Sequence, residues 1–166
     1  DVDESKCVPR GLEFSQLGLC NIVFICVPTP MEADGTCNTS IVEDACREMK
    51  KYVLPEKLVI RSTVPVGTAR YLEASFMPEF LTEANWKEDV RNCKDWLIGL
   101  RDVSNQPLKD KFFHLFDLAY RSKRVCWPFP TIINVEEAEL VKTAKNSFLA
   151  VKVAFFNELE EFCRSE

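Results

Sequence analysis

No apolar run in this chain of 166 residues is long enough to cross a bilayer, and its first residues lack the succession of a secretory leader. A membrane partner is therefore not expected. Histidine occurs once, at His114, inside Phe112-Phe113-His114-Leu115-Phe116. That setting suits a helix side chain at the edge of a core better than a catalytic base. Excess positive charge is absent as well: the net charge is −5. A nucleic-acid face needs a basic patch to meet phosphates, so no nucleic-acid partner is expected. Nucleotide binding stays open, because backbone N–H groups and one or two side chains suffice for it. The eight cysteines contain no C-x-x-C pair, so neither a zinc site nor a thioredoxin-like motif is expected, and no metal is assigned. A starting methionine is also absent, and the last residues stop within a helical pattern, which leads us to expect a partial chain.

What is present is ordinary for a globular protein. Hydrophobic residues make up 46% and charged residues 28%, enough to build a core without disulfide staples. We read Cys7, Cys20, Cys26, Cys37, Cys46, Cys93, Cys126 and Cys163 as free thiols in a reducing, cytoplasmic compartment, with Cys26 buried in a strand.

Residues 22–27, Ile-Val-Phe-Ile-Cys-Val, form a continuous β-branched run ended by Pro28, as in a parallel strand buried on both faces. Ile41, Val42, Ala45, Met49 and Val53 then recur at helical spacing behind a Ser40/Glu43 capping pattern. Leu58-Val59-Ile60 supplies a second strand, completing a βαβ rhythm. A third strand is expected at Trp96-Leu97-Ile98-Gly99, and a helix over 107–120 with Pro107 in its first turn. From Asn134 onward, Val135, Ala138, Val141, Ala144, Phe148, Val151, Phe155, Leu159 and Phe162 recur every three or four residues. They predict a helix of about 30 residues, on the order of 45 Å long. A second apolar set, Leu149, Val153, Phe156 and Cys163, widens its stripe, which fits either burial in this domain or pairing with another domain or subunit.

In a parallel α/β sheet, ligands bind beyond the carboxyl ends of strands. Val27-Pro28-Thr29-Pro30 makes one such end rigid, and alone also fits a plain terminating turn. Ser62-Thr63-Val64-Pro65-Val66-Gly67-Thr68 places two hydroxyls at the next end, with a helix start near Thr68. In Met77-Pro78-Glu79-Phe80-Leu81-Thr82-Glu83, two carboxylates four apart would share a face if the piece were helical. Near a substrate they suit proton transfer; otherwise they suit a solvated helix start. Lys142 and Asn146 lie one helical turn apart, a spacing that fits holding a developing alkoxide and fits a polar stripe equally well.

Taken in order, these segments resemble the UDP-glucose/GDP-mannose dehydrogenase family. The resemblance rests on residues 22–30, Asp34-Gly35, residues 62–68, Pro78-Glu79-Phe80-Leu81, Ala138-Glu139-Leu140-Val141-Lys142, Asn146-Ser147-Phe148-Leu149-Ala150 and Phe156-Asn157-Glu158. Asp1-Val2-Asp3-Glu4-Ser5-Lys6 resembles the end of the family's second strand. The resemblance implies a Rossmann-like α/β sheet over 1–133, an NAD-binding domain missing its N-terminal part, and the start of a central dimerisation helix over 134–166. It implies NAD as cofactor, a nucleotide sugar oxidised at C6 as substrate, and a homodimer formed through the 134–164 helix. Asp1 would grip the adenosine ribose, and Lys6 would be a basic cofactor contact. Val27, Pro28, Thr29 and Pro30 would line the dinucleotide, and Ser62 and Thr63 would lie by the nicotinamide, with Thr63 also placing a water or the reacting oxygen. Glu79 would be the acid/base carboxylate, with Glu83 near both cofactor and substrate. Lys142 and Asn146 would stabilise the oxyanion and assist proton removal. Phe80 and Leu81, with Glu79, Glu83, Lys142 and Asn146, would meet the sugar.

The chain also departs from the family pattern. The glycine-rich phosphate loop that should precede Asp1 is absent, as is the family's Gly-Gly-x-Cys-Phe-Pro segment, so no thiol nucleophile is assigned. The family's usual glycine after the second Glu is Ala84, and Met77 stands before Pro78 where Asn is frequent. A catalytically inactive assembly module, or a GDP-mannose or UDP-N-acetylmannosamine dehydrogenase, are the alternatives the same residues admit.

Overall fold

The computed structural model describes residues 11–82 and 84–165. Within them, five strands form one sheet in sequential order: β1 (Val23–Ile25), β2 (Leu58–Ile60), β3 (Ser75–Phe76), β4 (Leu97–Leu100) and β5 (Thr131–Asn134). The helices are α1 (Ser40–Met49), α2 (Thr68–Tyr71), α3 (Trp86–Asn92), α4 (Gln106–Arg121) and α5 (Val135–Ser165). The α/β class, the βαβ unit and the long last helix stand as expected.

The sheet is parallel on both sides of one reversal. β1 pairs with β2 and β2 with β3 in parallel, β3 meets β4 antiparallel through Phe76 and Gly99, and β4 runs parallel to β5. A parallel neighbour requires a crossover that packs back on the sheet. Between β3 and β4 the one helix is α3, which buries none of its residues. The connection therefore returns the chain beside β3 in the opposite direction. β5 was not among the expected strands.

Two burial expectations fail at β1. The strand covers three residues in a buried–exposed–buried pattern, and Phe24 is 37% exposed. β1 is the edge of the described sheet, and one face of it packs on Val42, Cys46 and Met49 of α1. Among the described residues no helix packs over Phe24 on the other face, so the run 22–27 is not buried on both sides along its length. Cys26, just past the strand end, is exposed rather than buried. Close packing around its thiol still pushes its pKa up, against the opposing pull of Arg61.

The cap of α1 also shifts by one residue. Thr39 is the N-cap, with Oγ1 2.6 Å from Glu43 Oε1, while Ser40 opens the helix and donates to Asn38 Oδ1. α4 begins as expected, with Asn105 Oδ1 accepting from the Leu108 N–H and a proline in the first turn. His114 lies exposed on it. At the start of α5 the Asn134 side chain accepts from Glu136 N–H, and Glu137 accepts from Asn134 N–H.

α5 enters the core with Val135 and Ala138, packed so close to β4 that a Cβ at Gly99 would stand 2.7 Å from the Ala138 Cβ. Beyond that first turn and a half its apolar side chains are uncovered: Phe148 is 71% exposed and Phe155 62%.

Candidate active site

Three strand ends and one turn of α5 converge. Ser62, just beyond β2, accepts from the Val27 N–H at 3.0 Å and donates to the Val27 carbonyl at 2.6 Å. A buried hydroxyl used in both directions latches the end of β1 to the end of β2. Thr63 beside it is exposed, and its carbonyl accepts from the Cys37 thiol. The exit from β1 is tied down by Asn38, whose N–H donates to the Pro30 carbonyl at 2.8 Å. Pro28 and Pro30 are exposed there, and Thr29 is half-buried.

Arg61 reaches across the same edge. Its Nη2 donates to Glu79 Oε2 at 3.0 Å, its Nη1 points at the Met77 sulfur, and its guanidinium stands 6.0 Å from the Phe24 ring centre. From α5, Lys142 donates its Nζ to the Glu79 carbonyl and lies over Phe80, whose ring also carries Lys145 at 3.8 Å. Burial pushes the Lys142 pKa down, Glu79 pulls it back up, and Arg61 and Lys145 add to the depression. A lysine so placed yields a proton more readily than an exposed one.

The carboxylate segment is extended. Residues 77–82 carry no helix, so the helical condition for two carboxylates on one face is not met over them. Pro78 disfavours the helical conformation in the residue before it, and α3 starts only at Trp86. Glu79, Phe80 and Leu81 are half-buried; Glu79 bonds Arg61 and Lys142, and Lys142 and Lys145 of α5 lie over Phe80. Asn146, one turn beyond Lys142, is exposed. Asp1, Lys6 and Glu83 lie outside the described residues.

Two residues to which the sequence assigned no role belong to this neighbourhood. Arg61 is the first, as the direct partner of Glu79. The second is Glu139, wholly buried on α5, which accepts from the Gly67 N–H at 2.6 Å and the Ala69 N–H at 2.7 Å. The signal for Glu139 was its position on the apolar stripe, between Ala138 and Lys142. A cleft of about 500 Å³, lined in part by Arg91, Tyr120, Lys123 and Cys126, involves none of the candidate residues.

Pro28, Pro30 and Thr63 are exposed at the carboxyl ends of β1 and β2, the place where α/β sheets bind dinucleotides, which fits the expectation of NAD. Residues 11–117 match the UDP-glucose/GDP-mannose dehydrogenase family, NAD binding domain, and residues 136–165 match the central domain of the same family. The chain is 28% identical over 162 residues to UDP-glucose 6-dehydrogenase YwqF of Bacillus subtilis, covering 89% of this chain and 34% of that protein. It superimposes on a GDP-mannose dehydrogenase of Pseudomonas aeruginosa, solved as a ternary complex, with a TM-score of 0.70 and 28% identity over 88% of this chain. A UDP-glucose dehydrogenase of Pyrobaculum islandicum gives 0.68 and 27% over 89%. The chain spans 36% of each of those two solved chains. With both of its parts matched in order, this chain belongs to the UDP-glucose/GDP-mannose dehydrogenase family and contains sequence of its NAD-binding and central domains.

Proposed function

We propose that this chain supplies the cofactor-side chemistry of an NAD-dependent nucleotide-sugar 6-dehydrogenase, of the type that converts UDP-glucose to UDP-glucuronate. The observation that carries the reading is the meeting of Glu79, Arg61 and Lys142 at the strand ends, with the exposed Thr63 two residues along the chain from Arg61. NAD, when bound, supplies the electron acceptor. Val27, Pro28, Thr29 and Pro30 line its path, Ser62 fixes the two strand ends it rests on, Asp1 takes the adenosine ribose, and Lys6 adds a basic contact. Lys142, with Asn146 one turn away, stabilises the negative charge that grows on the sugar oxygen as its proton leaves. Glu79 takes or returns that proton through a water placed by Thr63. Phe80, Leu81 and Glu83 border the sugar.

The exposed apolar stripe of α5 favours a homodimer through the 134–164 helix, and also favours a second reading, a catalytically inactive assembly module. No helix among the described residues is long and apolar enough to cross a membrane. Free thiols at Cys20, Cys26, Cys37, Cys46, Cys93, Cys126 and Cys163 fit a reducing cytoplasmic setting.

The test is a graft. Residues 11–165 replace the matching segment of YwqF, and NADH formation is followed with UDP-glucose. A folded graft that forms NADH, and loses it on Lys142→Met, supports the reading. A folded graft that forms none with UDP-glucose, GDP-mannose or UDP-N-acetylmannosamine overturns it in favour of the assembly module.

A further inference from the structure

Glu139 is an ionisable side chain with no exposed surface, and neither of its carboxylate oxygens faces a cation at hydrogen-bond distance in the described structure. Burying a carboxylate is costly unless its oxygens are satisfied. Here each oxygen takes one backbone N–H, Oε2 from Gly67 and Oε1 from Ala69. Burial pushes its pKa up; those two N–H bonds oppose the rise, Glu136 adds to it and Arg70 works against it. A leucine would fill the same space at lower cost but would not fix where two N–H groups lie.

What those N–H groups belong to matters. Gly67 and Ala69 close the segment that leaves β2 through Ser62 and Thr63, and Gly67 has the left-handed φ of 96° that turns the chain into α2. Val64, between them, is buried, so the segment is short and packed. Three residues along α5, on the same face, Lys142 holds the carbonyl of Glu79 beyond β3. One turn of α5 therefore grips two strand-end segments, the β2 segment by the carboxylate and the β3 segment by the amine.

We propose that Glu139 is a positioning residue: it sets the distance between the Thr63 segment and Lys142, and so fixes where the nicotinamide end of the cofactor rests. This inference rests on the NAD reading above. A merely structural carboxylate would, on replacement, loosen the whole domain. A positioning carboxylate would disturb the nicotinamide end and spare the adenosine end, assigned above to Asp1.

The experiment compares the chain with its Glu139→Gln and Glu139→Asp variants. Gln keeps one acceptor and aims an NH2 at the second N–H; Asp keeps the charge but shortens the reach. Binding of NADH and of ADP-ribose, which lacks the nicotinamide, is measured by titration, and the emission of bound NADH reports the nicotinamide surroundings. We expect NADH to bind Glu139→Gln at least fivefold more weakly with its emission shift lost, while ADP-ribose affinity stays within twofold. Glu139→Asp should fall between, and serves alone if the Gln variant does not fold. Unchanged NADH affinity and emission in the folded variants overturn the proposal, as does an equal loss for NADH and ADP-ribose. If the unmodified chain binds ADP-ribose but gives NADH no emission shift, the positioning claim fails while the cofactor reading survives. If it binds neither, the cofactor reading fails and takes the claim with it.

Discussion

Arg61 and Glu79 meet across the ends of β2 and β3, with Nη2 3.0 Å from Oε2. The pair joins an arginine largely shielded from solvent to a carboxylate that keeps nearly half its surface, with side-chain exposures of 18% and 45%. Solvent screening on the glutamate side keeps such a pair modest. In a double-mutant cycle of Arg61→Ala and Glu79→Ala, read by urea denaturation, we expect a coupling of about 0.5–1 kcal/mol. Arg61→Lys should not restore it, because the planar fork that serves Glu79 and points at Met77 is lost. Zero coupling would mean that the contact holds nothing in place.

The close approach of α5 to β4 gives a sharper stability test. A Cβ at Gly99 would stand 2.8 Å from the Val135 Cα and 2.7 Å from the Ala138 Cβ. Backbone cannot yield as a flexible side-chain tip does, so Gly99→Ala should cost ~1–3 kcal/mol by overpacking. Gly18→Ala, whose Cβ would meet only the Tyr52 carbonyl at 3.0 Å, should cost less. Chemical denaturation of the two variants side by side checks the order; equal midpoints would show that α5 shifts freely on the sheet.

These contacts mark where the sequence was legible. On α1, Val42 and Met49 are buried as their spacing implied, while Ile41 of the same set is exposed and Val53 lies past the helix end; the run Leu58-Val59-Ile60 is a strand where expected. The strand-end segments were legible as ordered motifs rather than as geometry. The two-sided burial of residues 22–27 failed because an apolar run records what its residues tolerate, not which elements pack over them. The reversal at β3 and β4 was illegible because strand direction depends on how residues 77–96 return, and no local propensity encodes it. The Arg61–Glu79 and Glu139–Gly67 contacts span 18 and 72 residues, beyond the reach of any periodicity.

Cys46 ties the core to pH. Its thiol is buried between α1 and the sheet, which pushes its pKa from 9.0 up to about 11, with Lys50 opposing. The unfolded chain thus ionises this thiol first. The stability linked to it is complete below pH 9, and is lost progressively as pH rises through about 11. The difference in unfolding free energy between the chain and Cys46→Val should therefore move in favour of the variant across that window. A difference that stays flat from pH 8 to pH 11 contradicts the assignment. In the folded chain a thiol reagent should label the exposed Cys20, Cys26 and Cys126 and spare Cys46 until denaturant is added.

The long helix poses the question of what covers it. Phe148, Val151, Phe155, Leu159 and Phe162 recur at spacings of three or four residues, and each of the five is exposed. A helix of 31 residues with such a stripe cannot hold its far half by propensity alone, since most helical stability in proteins comes from packing an apolar face. Pairing of two copies along this face would bury it. We therefore expect light scattering to give about twice the chain mass of 19.1 kDa. Phe148→Glu combined with Phe155→Glu places charge on the stripe, where burial would leave it unpaired. That variant should run as a monomer and lose helical circular dichroism in proportion to the freed half of α5, with the sheet and the buried Cys46 unaffected. A clean monomer for the unmodified chain would sink the pairing. A dimer that survives both substitutions would move it to another face of the molecule.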